Sequence, residues 1–294
     1  MQDGGGPVGD LPSYDLSAYQ RDYDQIAAGE NQPLFNRALD AAYTPGSSFK
    51  PAVALGALAS GTITPRTLYN CTYVYNRFAP EYTPHCESAH GNVDVVNAIR
   101  GSCNIFFYEA AYYMGIDTLD EYAARLGLGV PTGIELPENI GQVASPEVKA
   151  ASPAYADDPQ WRPGDVIQAG IGQQSTLLSP LQLANYTATL GNNGKRMEVT
   201  VLKSVKSYTL TICLRARAQG RGRGRRARGV PDGARGHGRG LPDGTAWATF
   251  ANYPITVASK TGTERGDGLY NSVFIAYAPA EDPEIVVAVV VEKG

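Results

Sequence analysis

Apolar residues recur through most of the chain at the three-to-four-residue period of a helix buried on one side, then give way near the C-terminus to short β-branched runs. Ser17 to Ala28 reads as a short helix. Pro45-Gly46 punctuates the chain before Ser47, from which Phe49, Val53, Ala54, Leu55 and Leu58 recur at helical spacing, so Ser47 is expected at a helix N-terminus. Residues 61–90 read as loops and short strands. Helices are expected over 92–100, 104–114 and 117–126, the last two divided by Gly115, and together they form an all-helical subdomain. Phe106, Phe107, Tyr108, Tyr112 and Tyr113 read as helix core. Residues 130–165, rich in Pro, Gly and Asp, read as surface loops. Ser179-Pro180 is a good N-cap and N1 pair for a helix running through Leu183 and Leu190 to Gly194, and Val199 to Val205 is a candidate strand. Ile255–Lys260, Tyr270–Tyr277 and Glu284–Val291, separated by turns, are expected to be adjacent antiparallel strands. The fold class is therefore α/β in the α+β sense: an antiparallel sheet flanked by helices, plus the all-helical subdomain, with a cleft between them.

Composition adds a folded body without disulfide dependence, since 43% of the 294 residues are hydrophobic and 18% charged. The longest apolar run, Ile285 to Val291, is too short to cross a bilayer, and the first residues lack a signal-peptide pattern, so the chain reads as carrying no anchor or export signal. The net charge of -4 hides an asymmetry: residues 209–240 hold nine of the 18 Arg with no Lys or Glu. The remainder, 16 basic against 28 acidic residues, repels a phosphate backbone. The 209–240 segment has two readings: a basic arm that binds RNA, or a low-complexity insert that is frameshifted or disordered. Arg, Gly, Ala and Pro share GC-rich codons, and the abrupt return to ordinary sequence at Asp243-Gly244-Thr245-Ala246 favours the second, so no nucleic-acid partner is expected.

Three short motifs carry the chemistry. Ser47-Ser48-Phe49-Lys50 is S-x-x-K, Ser102-Cys103-Asn104 is S-x-N, and Lys260-Thr261-Gly262 is K-T-G. Each alone is weak; in this order, at a helix start, a loop-to-helix boundary and a strand, they are mutually supportive. Three residues apart on a helix, Ser47 and Lys50 share a face, so a neutral Lys50 amine can take the hydroxyl proton. Burial and the charge of Lys260 both favour that neutral form. Ser102 is placed to relay a proton to a leaving amine, and Asn104 to hold a peptide backbone. Lys260 attracts a substrate carboxylate, Thr261 and Thr263 add hydroxyls, and Gly262 permits close approach. The amides of Ser47 and Thr263 are the expected oxyanion hole.

With these motifs, and with Pro12-Ser13-Tyr14-Asp15, Asn36-Arg37-Ala38, Tyr43-Thr44-Pro45-Gly46, His90-Gly91, Thr132-Gly133-Ile134, Gly170-Ile171-Gly172-Gln173 and Ser179-Pro180-Leu181-Gln182-Leu183-Ala184, the chain resembles the transpeptidase domain of class B penicillin-binding proteins. The resemblance implies one such domain over residues 11–294, interrupted by the 209–240 insert. It implies a β-lactamase/transpeptidase-like fold and a D,D-transpeptidase in which Ser47 is acylated by D-Ala-D-Ala stem peptides and by β-lactams. Lys50 would be the base, Ser102 and Asn104 one wall, and Lys260 to Thr263 the other. It implies peptidoglycan stem peptides, β-lactams and the cell-wall synthesis machinery as partners, and the extracytoplasmic face of the bacterial membrane as location. No metal or cofactor is implied. The family's first strand would precede Pro12 and a covering helix would follow Gly294, so the chain is expected to be a core truncated at both ends, with anchor and pedestal upstream.

Blander readings stand beside these. Ser47 and Ser102 could cap helices. His85, Cys86 and His90 with Cys71 invite zinc, but their spacing fits no standard ligand pattern, so a loop thiol pair is expected, which on an external surface could be a Cys71–Cys86 disulfide and otherwise a pair of free thiols. Cys103 reads as a small buried hydrophobe. The rival activities are a β-lactamase or penicillin sensor, with Glu135 or Glu138 as the only candidates for a water-activating carboxylate, and, in another class, an RNA-binding protein working through the Arg/Gly segment.

Overall fold

The computed structural model describes residues 9–209, 212–215, 245–264 and 270–293. The reading of 209–240 as an insert therefore lies, apart from Thr209 and the backbone of 212–215, outside the described residues.

The helix expected from Ser17 is split. The Asp15 carboxylate takes the Ser17 amide at 2.8 Å and closes a 3₁₀ turn at Leu16–Ala18, and α1 (Tyr23–Ala27) starts afresh behind Asp22. A second 3₁₀ turn, Gly46–Phe49, runs directly into α2 (Lys50–Ala59), whose residues from Lys50 to Ala57 are all buried. Such a helix is a core element, and burial of Phe49 and Leu55 contributes roughly 1.5–3 kcal/mol each, offsetting the cost of drawing Lys50 inside. Around it pack α3 (Val95–Arg100), α4 (Asn104–Met114) and α5 (Ile116–Arg125), as the period predicts. Gly115, at φ +78°, makes the sharp turn between the last two.

A small antiparallel pair, β1 (Tyr69–Cys71) with β2 (Gly91–Val93), sets Cys71 opposite Gly91 beside this helical body. The 130–165 loops include α6 (Pro146–Ala151), and α7 (Pro163–Ala169) packs on α4. The aromatic reading needs one correction: Phe106, Phe107 and Tyr108 are buried, but Tyr112 and Tyr113 are 36% and 57% exposed. They lie on the outer face of α4, where Arg77 sits over both rings and donates to Glu109.

The helix α8 (Pro180–Gly191) is capped as expected, the Ser179 hydroxyl accepting the Gln182 amide at 3.2 Å. The strand expected at 199–205 is mostly absent: Val199 donates to the Thr132 carbonyl and Glu135 takes the amide of Val201, so the stretch is tied to a loop. Only β3 (Ser204–Lys206) forms, paired with β4 (Ile212–Arg215). After α9 (Trp247–Phe250) come β5 (Ala258–Thr263), β6 (Ser272–Ala278) and β7 (Ile285–Val291), an antiparallel sheet in that order with Lys260 opposite Ile275. α8 covers β6 and β7, and Val290 and Ala288 join the core. Among the described residues β5 pairs with β6 alone, and its other edge lies against the Gly46–Phe49 turn. The expected cleft is the seam between them.

Candidate active site

Ser47 sits partly exposed in the 3₁₀ turn, between buried Gly46 and buried Ser48. Gly46 has φ +52°, and a Cβ there would lie 2.5 Å from the Thr263 carbonyl oxygen and 3.0 Å from its amide. A Cβ on Gly262 would lie 2.2 Å from the Pro45 carbonyl. Two glycines thus let the backbones of the turn and of β5 touch, which brings the amides proposed as oxyanion donors to one seam. The turn is held from behind by the Gly46 amide donating to the Gly172 carbonyl at 2.9 Å. The Ser47 hydroxyl does not cap the helix; the Ser48 hydroxyl instead donates to the Pro45 carbonyl.

Lys50, wholly buried, donates to the Ser102 carbonyl at 2.7 Å, the Ser102 hydroxyl at 3.1 Å and Asn104 Oδ1 at 2.6 Å. Lys260 reaches the same hydroxyl at 3.0 Å and the Thr261 carbonyl at 3.0 Å. Burial, and secondarily the charge of Lys50, hold the Lys260 amine well below the ordinary lysine range. Three acceptors around Lys50 suit an ammonium, so the buried pair keeps its proton on Lys50 and leaves Lys260 neutral. Ser102 stands between them at φ +53°, a conformation that costs a non-glycine residue free energy and is held by the Lys50 bond and by its amide on Ile99.

The structure therefore brings Ser47, Lys50, Ser102, Asn104, Lys260, Gly262 and Thr263 to one seam, and shows the present partners of Asn104 and Thr261. Asn104 is partly engaged within the site: its Oδ1 accepts from Lys50 and one of its two Nδ2 hydrogens goes to the His85 carbonyl at 3.3 Å. Thr261 hydrogen-bonds Thr245 at 2.9 Å, away from the lysines. Nor does Ser102 cap α4; Cys103 occupies the cap position and the first helical amide, that of Asn104, donates to Cys86 Sγ at 3.1 Å. Gln173, read only as part of a sequence string, donates to the Thr263 carbonyl at 3.0 Å. Its place next to Gly172, which packs on the Gly46–Phe49 turn, was the available signal. Tyr82, His85, Tyr108, Tyr155 and Gln173 line an open cleft beside this seam. Glu138 is spent on the amide and hydroxyl of Thr132, and Glu135 on Thr200 and Val201, so neither carboxylate is poised to activate water.

The cysteine reading is also corrected. Cys71, Cys86 and Cys103 are free buried thiols, not a disulfide. With His90 they form a group whose donor atoms all lie within 4.8 Å of one another, a set that could hold a metal ion. His85 is not in it; its ring stacks on Tyr73.

A serine and lysine at a helix start, packed directly against a lysine-bearing strand with a second serine between the two amines, define the class of serine acyl-enzyme folds that recognise penicillin. Within that class the chain belongs to the penicillin binding protein transpeptidase domain family, whose model matches residues 11–294. It is 31% identical over 311 aligned positions, 97% of this chain and 49% of the relative, to peptidoglycan D,D-transpeptidase MrdA of Salmonella typhimurium. The fold is similar to PBP2 of Helicobacter pylori solved in complex with MreC (TM-score 0.82, 26% identity, 100% of this chain and 55% of that one). It is also similar to penicillin-binding protein A of M. tuberculosis solved as a penicillin G acyl-enzyme (TM-score 0.79, 25% identity, 97% and 65%). The chain spans about half the length of the curated relative it matches.

Proposed function

We propose that the chain is the catalytic unit of a peptidoglycan D,D-transpeptidase. The observation that carries this reading is the chain of contacts Lys50–Ser102–Lys260 laid beside a partly exposed Ser47, whose turn lies against β5. Neutral Lys260 draws a proton through the Ser102 hydroxyl from Lys50, which then takes the proton of Ser47 as its oxygen attacks the penultimate D-Ala carbonyl of a stem peptide. The amides of Ser47 and Thr263 stabilise the oxyanion. Ser102 returns a proton to the departing D-Ala amine, leaving an ester on Ser47. An amine of a second stem peptide attacks that ester, and the new peptide leaves as Ser47 recovers its proton. The seam between β5 and the Gly46–Phe49 turn suits an extended peptide lying along the strand, with Gln173 bracing Thr263 at its end.

β-Lactams would acylate the same hydroxyl, as penicillin G does the M. tuberculosis protein named above. Stem peptides and cell-wall machinery as partners, and work on the extracytoplasmic face, follow from the same reading; among the described residues no helix is long and apolar enough to cross a membrane. The β-lactamase reading is disfavoured by the engaged state of Glu135 and Glu138. The test is labelling with a fluorescent penicillin and mapping of the modified peptide: stable label on Ser47, abolished in Ser47→Ala, is expected. Rapid loss of label would indicate a hydrolase, and absence of label on folded protein would overturn the proposal.

A further inference from the structure

Glu264 follows directly on Thr263 and belongs to none of the three motifs, yet both of its carboxylate oxygens are engaged. Oε1 accepts the Thr44 hydroxyl at 3.0 Å, across 220 residues of chain, and Oε2 accepts from Asn271 Nδ2. The Glu264 amide donates to the Asn271 carbonyl at 3.0 Å, which carries the β5–β6 ladder one step past the Thr263–Ser272 pair. Asn271 Oδ1 in turn accepts the amide of Lys293 at 3.2 Å, just beyond β7. One end of all three strands is thereby gathered onto Glu264 and Asn271.

Thr44 is buried and stands just ahead of Pro45 and Gly46. Gly46 and Thr263 approach backbone to backbone, so the Thr44–Glu264 bond is a second tie between the same two segments. One contact leaves two backbones free to pivot about it; two contacts spaced along each segment fix their angle as well as their distance. The peptide plane joining Thr263 to Glu264 is also held at both ends, its carbonyl by Gln173 and its N–H by the Asn271 carbonyl. Tyr43 repeats the arrangement one residue earlier: its hydroxyl donates to Glu292 at 2.6 Å, and Arg37 donates to the other Glu292 oxygen at 3.3 Å. The chain ahead of Ser47 is thus fastened to the ends of both β5 and β7.

We propose that Glu264 is a positioning residue for acyl transfer: through Thr44 and Asn271 it holds the Thr263 amide against the Gly46–Phe49 turn, so that the oxyanion donors are aimed before a substrate arrives. Glu264 touches neither substrate nor reacting atoms; it acts through Thr263. Its role in the reaction rests on the transpeptidase reading, whereas the tie itself does not. Preorganised donors matter most at the transition state, where a misplacement of ~1 Å costs about 10²-fold. Loss of the tie is therefore expected in the acylation rate constant and not in the affinity of the first, noncovalent penicillin complex.

The experiment uses the whole chain and follows melting temperature beside stopped-flow labelling with a fluorescent penicillin, which separates that affinity from the rate constant. Glu264→Gln keeps the shape but turns one acceptor into a donor, so that with its oxygen on Thr44 its amide faces Asn271 Nδ2, donor against donor. Adding Asn271→Asp puts an acceptor opposite that amide and leaves an oxygen for Lys293. Glu264→Gln and Glu264→Ala are expected to lower the acylation rate constant by ~10–100-fold with the first complex unchanged, and Glu264→Gln/Asn271→Asp to recover most of that loss. Should Glu264→Ala fail to fold, Thr44→Val removes the hydroxyl alone and is expected to show the same loss of rate. Folded single variants that melt lower but acylate at the unaltered rate overturn the proposal, and so does a double variant as slow as Glu264→Gln. Absence of label on the unaltered, folded protein refutes the transpeptidase reading and with it the role in acylation; the tie then stands if the double variant regains the melting temperature lost in Glu264→Gln, and falls if it does not.

Discussion

Lys50 and Lys260 meet on a single oxygen, the hydroxyl of Ser102, at 3.1 and 3.0 Å. Two lysines on one buried acceptor cannot both stay charged, and the Lys260 amine is the one pushed down, by burial and then by Lys50. Acylation of Ser47 is accordingly expected to rise with pH as Lys260 loses its proton and to reach a plateau below the ordinary lysine value of 10.5. Lys260→Met, which leaves Lys50 without a proton relay, is expected to slow penicillin acylation by ~10²–10⁴ at neutral pH and to move the profile to higher pH. Stopped-flow acylation across the pH range measures both.

The same group sets a pH dependence of stability. Between its depressed value and 10.5 the unfolded chain binds the Lys260 proton and the native chain does not, so stability rises with pH through that window. Below the window the penalty of the buried amine is fully expressed. Lys260→Met is expected to melt higher than the unaltered protein at neutral pH and to lose the slope. Calorimetry at several pH values reads the difference, and an equal slope in both proteins would refute this assignment.

Ser102 combines a strained backbone with a needed hydroxyl, and the two separate by mutation. Ser102→Gly relieves the φ of +53° and is expected to offset part of a strain of about 1–3 kcal/mol while losing the relay. Ser102→Ala keeps the strain, removes the oxygen shared by both lysines and is expected to be the less stable of the two. Both are expected to acylate slowly. Denaturant titration with penicillin labelling distinguishes them; a glycine variant no more stable than the alanine variant would argue against stored strain.

These contacts also show where sequence reasoning reaches and where it stops. The C-terminal end of α4 follows from Gly115, whose φ of +78° no other common residue adopts cheaply, and β6 and β7 follow from β-branched runs that the sheet then pairs residue for residue. The place of Ser102 rested on the order of the motifs and the family resemblance, whereas the pairing of Ser47 with Lys50 was legible because helical spacing is a local property. The direction of Asn104 was not, because spacing cannot say that Oδ1 answers Lys50 and Nδ2 the His85 carbonyl. The cysteine cluster was half legible for the same reason: on sequence alone Cys71, Cys86 and His90 are weighed together and set aside on spacing, and Cys103 is not joined to them. Its donors lie on a strand end, a loop, a strand start and a helix cap, and only the β1–β2 pairing and the α4 start bring them within 4.8 Å.

At Gly262 the prediction is steric. A Cβ would sit 2.2 Å from the Pro45 carbonyl oxygen and 3.0 Å from the Ser48 amide, backbone atoms that cannot turn aside. Gly262→Ala must therefore separate β5 from the nucleophile turn, at a cost of ~1–3 kcal/mol in overpacking. The expected outcome is a lower melting temperature together with slower Ser47 labelling, because the Thr263 amide moves with the strand. A variant with unchanged labelling would mean that Thr263 does not take part in holding the oxyanion.

Away from the seam, Asp120 on α5 is a carboxyl raised to about 6 by burial and then by Glu147 and Asp117. Its raised value means that the native chain holds the proton more tightly than the unfolded chain between the ordinary 3.8 and about 6, so stability falls as pH rises through that window. Asp120→Asn removes the charge without changing the shape. Because the group is only half-buried, solvent screening reduces the gain, and a rise of about 1 kcal/mol at pH 7 is expected. The two proteins are expected to converge in acid, where Asp120 is protonated in both folded and unfolded chains. Urea denaturation at acid and neutral pH makes the comparison, and a gain that persists undiminished in acid would assign it to packing of the amide instead of to the lost charge.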